Sequence, residues 1–341
     1  MFLKASDLEV GVGIEVYVSR GIGIGGRIRQ FPEDFVVEEV LVDGSKASVS
    51  SIKILKPSGW GRYLLCLMVK RGWDTLLAVE RIAKELGINS GRVRIAGIKD
   101  AKALTAQHIT IGAVNFDKIL NLKIDRLQLY PIRFVNEPIS PSQLYGNRFK
   151  ITIRDIPHNP ATIKKLIKDV MDEITEFGGL PNYFGHQRFG TIRPITHLVG
   201  KMMVLGNLEG AVKLILSAPS SFESPRLKEA RRRLIETEDY KSALKEFPKH
   251  LTYERAMLKY LSRHPRDHIG ALRRLSVRLR RLFIEAYQSY LYNRFLSRRI
   301  MMGISLREAQ IGDYVIKLNP LGLPTDEVVK ASEENLSLIH I

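Results

Sequence analysis

Between Gly61 and Gly72 the chain carries the run YLLCLMVK, Tyr63 to Lys70, which is apolar at odd and even positions alike. A strand sends successive side chains to opposite faces of its sheet, so a run of this kind must be covered on both sides. It therefore predicts a central strand in a sheet with two covered faces. The neighbouring sequence supplies a covering helix. Asp74 is a candidate N-cap, Leu77, Val79, Ile82, Ala83 and Leu86 follow near helical spacing, and Gly87 ends the pattern. Val93 to Ile95 reads as a short strand. Phe149, Ile151 and Ile153 alternate with Lys150, Thr152 and Arg154 as a half-exposed strand should. After it, Pro160 opens a helix with an apolar stripe of Ile163, Leu166, Ile167, Val170, Met171 and Ile174, closed by Gly178-Gly179.

Residues 1 to about 155 thus mix strands with short helices, and the 341-residue length allows roughly two domains of about 150 residues. From about 200 to 300 the composition shifts to long, charged helices, which reads as a second, mostly helical unit. There Leu275, Leu279, Leu282, Phe283, Ala286 and Tyr290 recur at three- and four-residue steps, with eight arginines between Arg273 and Arg299. This pattern fits a core helix with a solvated basic face as well as one that contacts RNA.

The longest apolar run, Leu64 to Val69, is far short of the roughly 20 residues that span a bilayer. The start MFLKASDLEV lacks a signal peptide's apolar stretch, so a cytoplasmic protein with no membrane association is expected. The single cysteine, Cys66, excludes an internal disulfide and a cysteine-based zinc cluster, and its setting suits a buried thiol. Lysines and arginines number 53 against 36 acidic residues, a net charge of +17 that suits a protein neutralising phosphates.

Some signals lead nowhere. Gly21 to Gly26 lacks the Gly-Lys-Ser/Thr ending of a phosphate-binding loop and reads as a hinge or turn. His264 and His268 have Pro265 between them and no glutamate partner, so no metal site is expected. His108 and His186 read as packed or hydrogen-bonding histidines.

Four stretches place glycine, charges and amides among apolar residues, which is costly unless those groups are partnered or functional. They are RIRQFPEDFVVEEV (Arg27 to Val40), AGIKDAKALTAQHITI (Ala96 to Ile111), GNRFKITIRD (Gly146 to Asp155) and PNYFGHQRFG (Pro181 to Gly190). Asp100 follows a strand through Gly97 and adjoins Lys99. It is a candidate reacting carboxylate, or else the N-cap of a turn beginning at Ala101. Asn147, Phe149, Tyr183, Phe184, Gln187, Arg188 and Phe189 supply rings, amide edges and cations, the groups that hold an extruded RNA base.

In order and spacing these four stretches resemble the signature blocks of the TruD family of tRNA pseudouridine synthases, over about residues 21 to 324. The resemblance implies an α+β fold: a pseudouridine-synthase-type mixed, largely antiparallel sheet covered by helices, with a mostly helical TRUD insertion domain. It implies a catalytic domain over 1–190 and an insertion region, incomplete, over 191–335. The activity implied is isomerisation of a uridine to pseudouridine, in the D-arm region of tRNA, without cofactor or metal. By the resemblance Asp100 is the catalytic residue, attacking or deprotonating the ribose. Arg29, three positions before the Pro-Glu-Asp-Phe element where lysine is common, orients it. Asn147 hydrogen-bonds nearby, and Phe149 stacks on the flipped uracil. Lys99, Gln107, Gln187 and Arg188 are further candidates for shaping the substrate site, the last two also as structural supports. Ala101-Lys102 stands where a basic residue often follows the aspartate directly, so Lys102 receives no role. A monomer without obligate protein partner is expected, and the alternative function is a non-catalytic RNA-binding protein of the same fold. Family members continue with a stretch that closes the catalytic sheet. Here the chain ends in LSLIHI, Leu336 to Ile341, readable from CTGTCTCTTATACACATC, which resembles a transposase adapter of sequencing libraries, so a non-native tail at 336–341 is expected.

Overall fold

A computed structural model describes residues 3–50, 57–112, 114–220 and 222–333. The chain forms two compact units: Met1–Ile22, Lys168–Asp313 and Ala331–Ile341 in one, Gly23–Ile167 and Tyr314–Lys330 in the other. This grouping differs from a division after residue 190, and the expected tail at 336–341 lies outside the described residues.

The first unit opens with β1 (Leu3–Lys4), α1 (Asp7–Val10) and β2 (Val16–Tyr17), β1 and β2 pairing antiparallel. The second unit follows with β3 (Phe35–Leu41), β4 (Tyr63–Arg71), α2 (Thr75–Leu86), β5 (Val93–Ile95), β6 (Leu104–Gly112), α3 (Phe116–Leu120), β7 (Leu127–Val135) and β8 (Leu144–Ile151). Helix α4 (Pro160–Phe177) leads back to the first unit. There α5 (Thr196–Val204), α6 (Leu208–Ser217), α7 (Pro225–Thr237), α8 (Tyr240–Glu246), α9 (Thr252–Leu261), α10 (His268–Leu272) and α11 (Val277–Met301) follow. A hairpin of β9 (Tyr314–Leu318) and β10 (Pro324–Lys330) comes last.

The six-stranded sheet runs β7-β4-β6-β3-β8, with β5 added on β6. Its pairings are antiparallel except β3 with β6, which is parallel. As the two-faced run requires, β4 is interior and buried along Leu64–Lys70. On one face Cys66, Met68, Ile109, Ile111, Leu127 and Leu129 pack under α2 and Ile119 of α3. On the other, Leu67, Val69 and Ala106 pack with Ala47, Val49 and Tyr130. Each fully buried Leu, Ile or Met side chain of this kind contributes about 1.5–3 kcal/mol.

The Asp74 carboxylate caps α2 by accepting from the Leu76 and Leu77 N–H groups at 2.8 and 3.1 Å, and Gly87 ends it at φ +66°. Leu77, expected in the stripe, is exposed. The buried rows run through Thr75, Ala78, Val79, Ile82, Ala83 and Leu86, and Leu77 falls off them. Strand β8 is more exposed than its alternation suggests, because it is the sheet edge and the core under α2 draws on β4, β5, β6 and β7 but not on β8. Ile153 lies beyond the strand's end. The α4 stripe is likewise shallower than expected, with Ile167 and Met171 exposed and no residue of the helix fully buried.

The first unit's core joins α5 to α10 through Val199, Val212, Leu216, Leu234, Phe247, Met257, Leu261 and Leu275. In α11 the expected stripe is only partly buried: Ala286 is, Leu282 is not, and Leu275 precedes the helix. Instead Ser289, Asn293 and Ser297 form a buried polar seam at four-residue steps. Asn293 accepts from the Phe184 N–H (2.9 Å) and donates to the Val12 and Phe184 carbonyls (3.0 and 2.9 Å), while Ser297 donates to the Gly13 carbonyl at 3.1 Å. This seam, with Phe189 packed beside Ala286, ties residues 5–17 and 183–189 to the helical unit. Among the described residues no helix is long and apolar enough to cross a membrane.

Candidate active site

Parallel pairing of β3 with β6, Val36 opposite Leu104, brings the segments leading into these strands to the same end of the sheet. One segment carries Arg29 and the other Asp100. Arg29 Nη2 donates to Asp100 Oδ1 at 2.7 Å, both side chains about one-third exposed (36% and 32%). The turn beginning at Ala101 that Asp100 could have capped does not form: residues 101–103 only bend and run directly into β6. The Arg29 guanidinium also lies 3.9 Å from the centre of the Phe35 ring, and Phe35 meets Phe149 edge-on at 5.9 Å and 66°. Strand β8 pairs with β3 so that Phe149 faces Val37 and Asn147 faces Glu39. Directly opposed residues share a face, so Asn147 and Phe149 are both exposed on the face that Phe35 joins, Phe149 at 52%.

The segment carrying Arg29 is fastened along its length. Arg27 and Arg154 exchange main-chain hydrogen bonds at 2.7 and 2.8 Å. The Gln30 amide donates to the Asp155 carboxylate. Buried Asp34 accepts from Arg154 Nε at 2.8 Å and from the Phe31 N–H at 3.0 Å. The Arg154 guanidinium holds the Asp34 carboxyl below its ordinary value, against the opposing effect of burial. Gly26, at φ +94°, has the Arg154 carbonyl 2.8 Å from where a Cβ would stand, so the close approach demands glycine. Arg29 itself is left-handed, at φ +60°.

Lys99 and Gln107, expected to line the substrate site, are buried behind the turn. Lys99 Nζ pairs with Glu39 Oε1 at 2.8 Å, both side chains at most 3% exposed. Glu39 Oε2 accepts from the His108 N–H at 2.8 Å and lies 3.2 Å from His108 Nδ1. Burial alone would raise the Glu39 carboxyl, but hydrogen bonds from His108 and Lys99 outweigh it and keep it low. Gln107 Nε2 donates to the Gly97 carbonyl at 3.0 Å. Motif reading does not single out Glu39, Lys70 near the end of β4, or Thr75 at the start of α2. The signal for Glu39 is a carboxylate at a core-facing position of an alternating strand.

Gln187 and Arg188 belong to the helical unit and the other site candidates to the sheet unit. Gln187 is exposed on the 3₁₀ turn His186–Arg188. Arg188 donates to Ser289 Oγ at 3.1 Å and lies 3.6 Å from Glu285, bracing α11. Two rings expected to hold a base are engaged otherwise. Phe189 is fully buried, edge-on to His197 at 5.2 Å, and the Tyr183 hydroxyl meets Ser297 Oγ at 3.0 Å. Burial pushes the Cys66 thiol up to about 12, which removes it as a nucleophile. Among the described residues no group of three or more His, Cys, Asp or Glu side chains could hold a metal. The sheet unit therefore offers an oriented, part-exposed carboxylate linked through Arg29 and Phe35 to an exposed aromatic ring, an arrangement suited to acid–base or nucleophilic work on a stacked base.

The family model described as tRNA pseudouridine synthase D (TruD) matches residues 11–340. A protein named "Probable tRNA pseudouridine synthase D" from Methanosarcina barkeri is 38% identical over 341 residues, 99% of this chain and 75% of that protein. One of the same name from Methanopyrus kandleri is 43% identical over 268 residues, 78% of this chain and 64% of that protein. A crystal structure named for the tRNA pseudouridine synthase D of Methanosarcina mazei has a TM-score of 0.83 at 36% identity, covering 98% of this chain and 74% of that one.

Proposed function

This chain belongs to the TruD family of tRNA pseudouridine synthases, which isomerise uridine in tRNA, and from that premise we propose that Asp100 is its catalytic carboxylate. The reaction breaks the N1–C1′ bond, turns the uracil and forms a C5–C1′ bond. C5 gives up a proton and N1 takes one, so the product has the atoms of the substrate and no redox partner or group donor is needed. Asp100 acts on the ribose, as nucleophile at C1′ or as base at C2′. Arg29 aims it. Phe149 stacks on the uracil of a uridine turned out of its helix, and Asn147 hydrogen-bonds beside it.

The observation that carries this reading is the 2.7 Å Arg29–Asp100 ion pair, continued through Phe35 to the exposed ring of Phe149. On the same reading the sheet unit is the catalytic domain and the helices following residue 190 form the insertion domain, with Gln187 and Arg188 supporting the latter. The substrate uridine lies in the D-arm region of a cytoplasmic tRNA. The test incubates unmodified tRNA with the protein and with Asp100→Asn, then maps pseudouridine by carbodiimide adduct and primer extension. A D-arm stop with the parent and none with the variant is expected. Modification by Asp100→Asn at the parental rate rules out the assignment of Asp100.

A further inference from the structure

The turn that carries Asp100 is held from behind as well as by Arg29. Lys70, next to the last residue of β4, is fully buried. Its Nζ donates to three main-chain carbonyls, those of Trp73 and Asp100 at 2.8 Å each and that of Lys99 at 3.4 Å. Thr75, at the start of α2, completes the grip. Its hydroxyl donates to the Lys99 carbonyl and accepts from the Lys99 N–H, both at 3.0 Å.

A buried ammonium is costly to keep, and charge-assisted bonds offset that cost only where several acceptors converge. Burial lowers the Lys70 ammonium to about 8, against the attraction of Asp74 and Asp100 and with the repulsion of Lys99. A methionine of similar length would fill the space without that cost. Packing alone therefore gives no reason for a lysine, whereas three carbonyls from two separate turns do.

Taking Asp100 as the catalytic carboxylate, we propose that Lys70 is a positioning residue for it: the ammonium pins the Asp100 main chain while Arg29 fixes its carboxylate, so that the aspartate meets the ribose in one direction. A displacement of about 1 Å at a reacting group can cost about 100-fold in rate.

The test compares the parent, Lys70→Met, Lys70→Arg and Asp100→Asn in single-turnover pseudouridylation with enzyme in excess. Binding of tRNA by filter retention and thermal unfolding are measured alongside. Lys70→Met should lose about 100-fold in rate while the tRNA dissociation constant moves by no more than about threefold, and Lys70→Arg, which keeps a cationic donor, should regain about tenfold. A purely structural role would move the unfolding temperature and leave the rate of the folded enzyme alone. A Lys70→Met rate within about threefold of the parent, with Asp100→Asn inactive, overturns the proposal and leaves Asp100's role standing. Loss of tRNA binding in proportion to rate overturns it as well. An active Asp100→Asn removes the premise and the proposal together. If Lys70→Met does not fold, Lys70→Gln decides: a parental rate overturns the proposal, and a loss of about tenfold or more at unchanged tRNA affinity supports it.

Discussion

Arg29 has a left-handed backbone conformation that costs a non-glycine residue on the order of 1–3 kcal/mol and persists only where surrounding bonds enforce it. The enforcing bonds are those of Arg27, Gln30 and Asp34 to residues 152–155. Asp34 takes its proton less readily folded than unfolded, because Arg154 holds its carboxyl low. Its contribution to stability is therefore complete above the unfolded value of about 3.9 and is lost as the pH falls through the lower folded value. By calorimetry, Asp34→Asn should unfold at a lower temperature than the parent at pH 7, with the gap closing toward pH 3. A constant gap would show that Asp34 acts through packing alone. In local sequence Asp100 reads equally as a cap or a reagent, and what separates the two is Arg29, 71 residues earlier, across the β3–β6 ladder. Lys99 read as a substrate contact because charge beside a catalytic aspartate suggests one. Spacing gives no hint that Glu39 waits behind it.

At the scale of elements, β4 was legible because a run apolar on both faces has one solution, and α2 because Asp74 and Gly87 mark both of its ends. Strand β8 was legible as a strand and not as an edge, since alternation reports which side chains share a face but not whether anything covers it. The same limit applies to α4. The polar seam of α11 was invisible because its partners, Val12, Gly13 and Phe184, are more than 100 residues away. Exposure on β8 leads to a prediction. Phe149→Ala, truncating a half-exposed ring, should cost about 1 kcal/mol or less in urea unfolding and at least about tenfold in single-turnover rate. Ile109→Ala, at a fully buried position on the same sheet, should cost about 2–5 kcal/mol instead. Equal stability losses for the two would mean that the Phe149 ring serves folding.

For the whole molecule, the charge of +17 leads to the prediction that tRNA is captured electrostatically. Each phosphate neutralised releases counterions, so the logarithm of the tRNA association constant should fall linearly and steeply with the logarithm of salt concentration. A flat plot would rule out electrostatic capture. The change in composition near residue 200 was enough to announce a helical unit. Its inclusion of residues 1–22 could not be read, because side chains of α11 bring that segment in. The parallel β3–β6 ladder has an implication for biosynthesis. Arg29 leaves the ribosome 71 residues ahead of Asp100, and Phe149 follows later still. A nascent chain therefore carries an arginine with nothing to aim through most of the synthesis of its sheet. The ion pair and the stacking ring come together only when β6 and β8 have both paired with β3, so the site draws on the whole span of chain from β3 to β8.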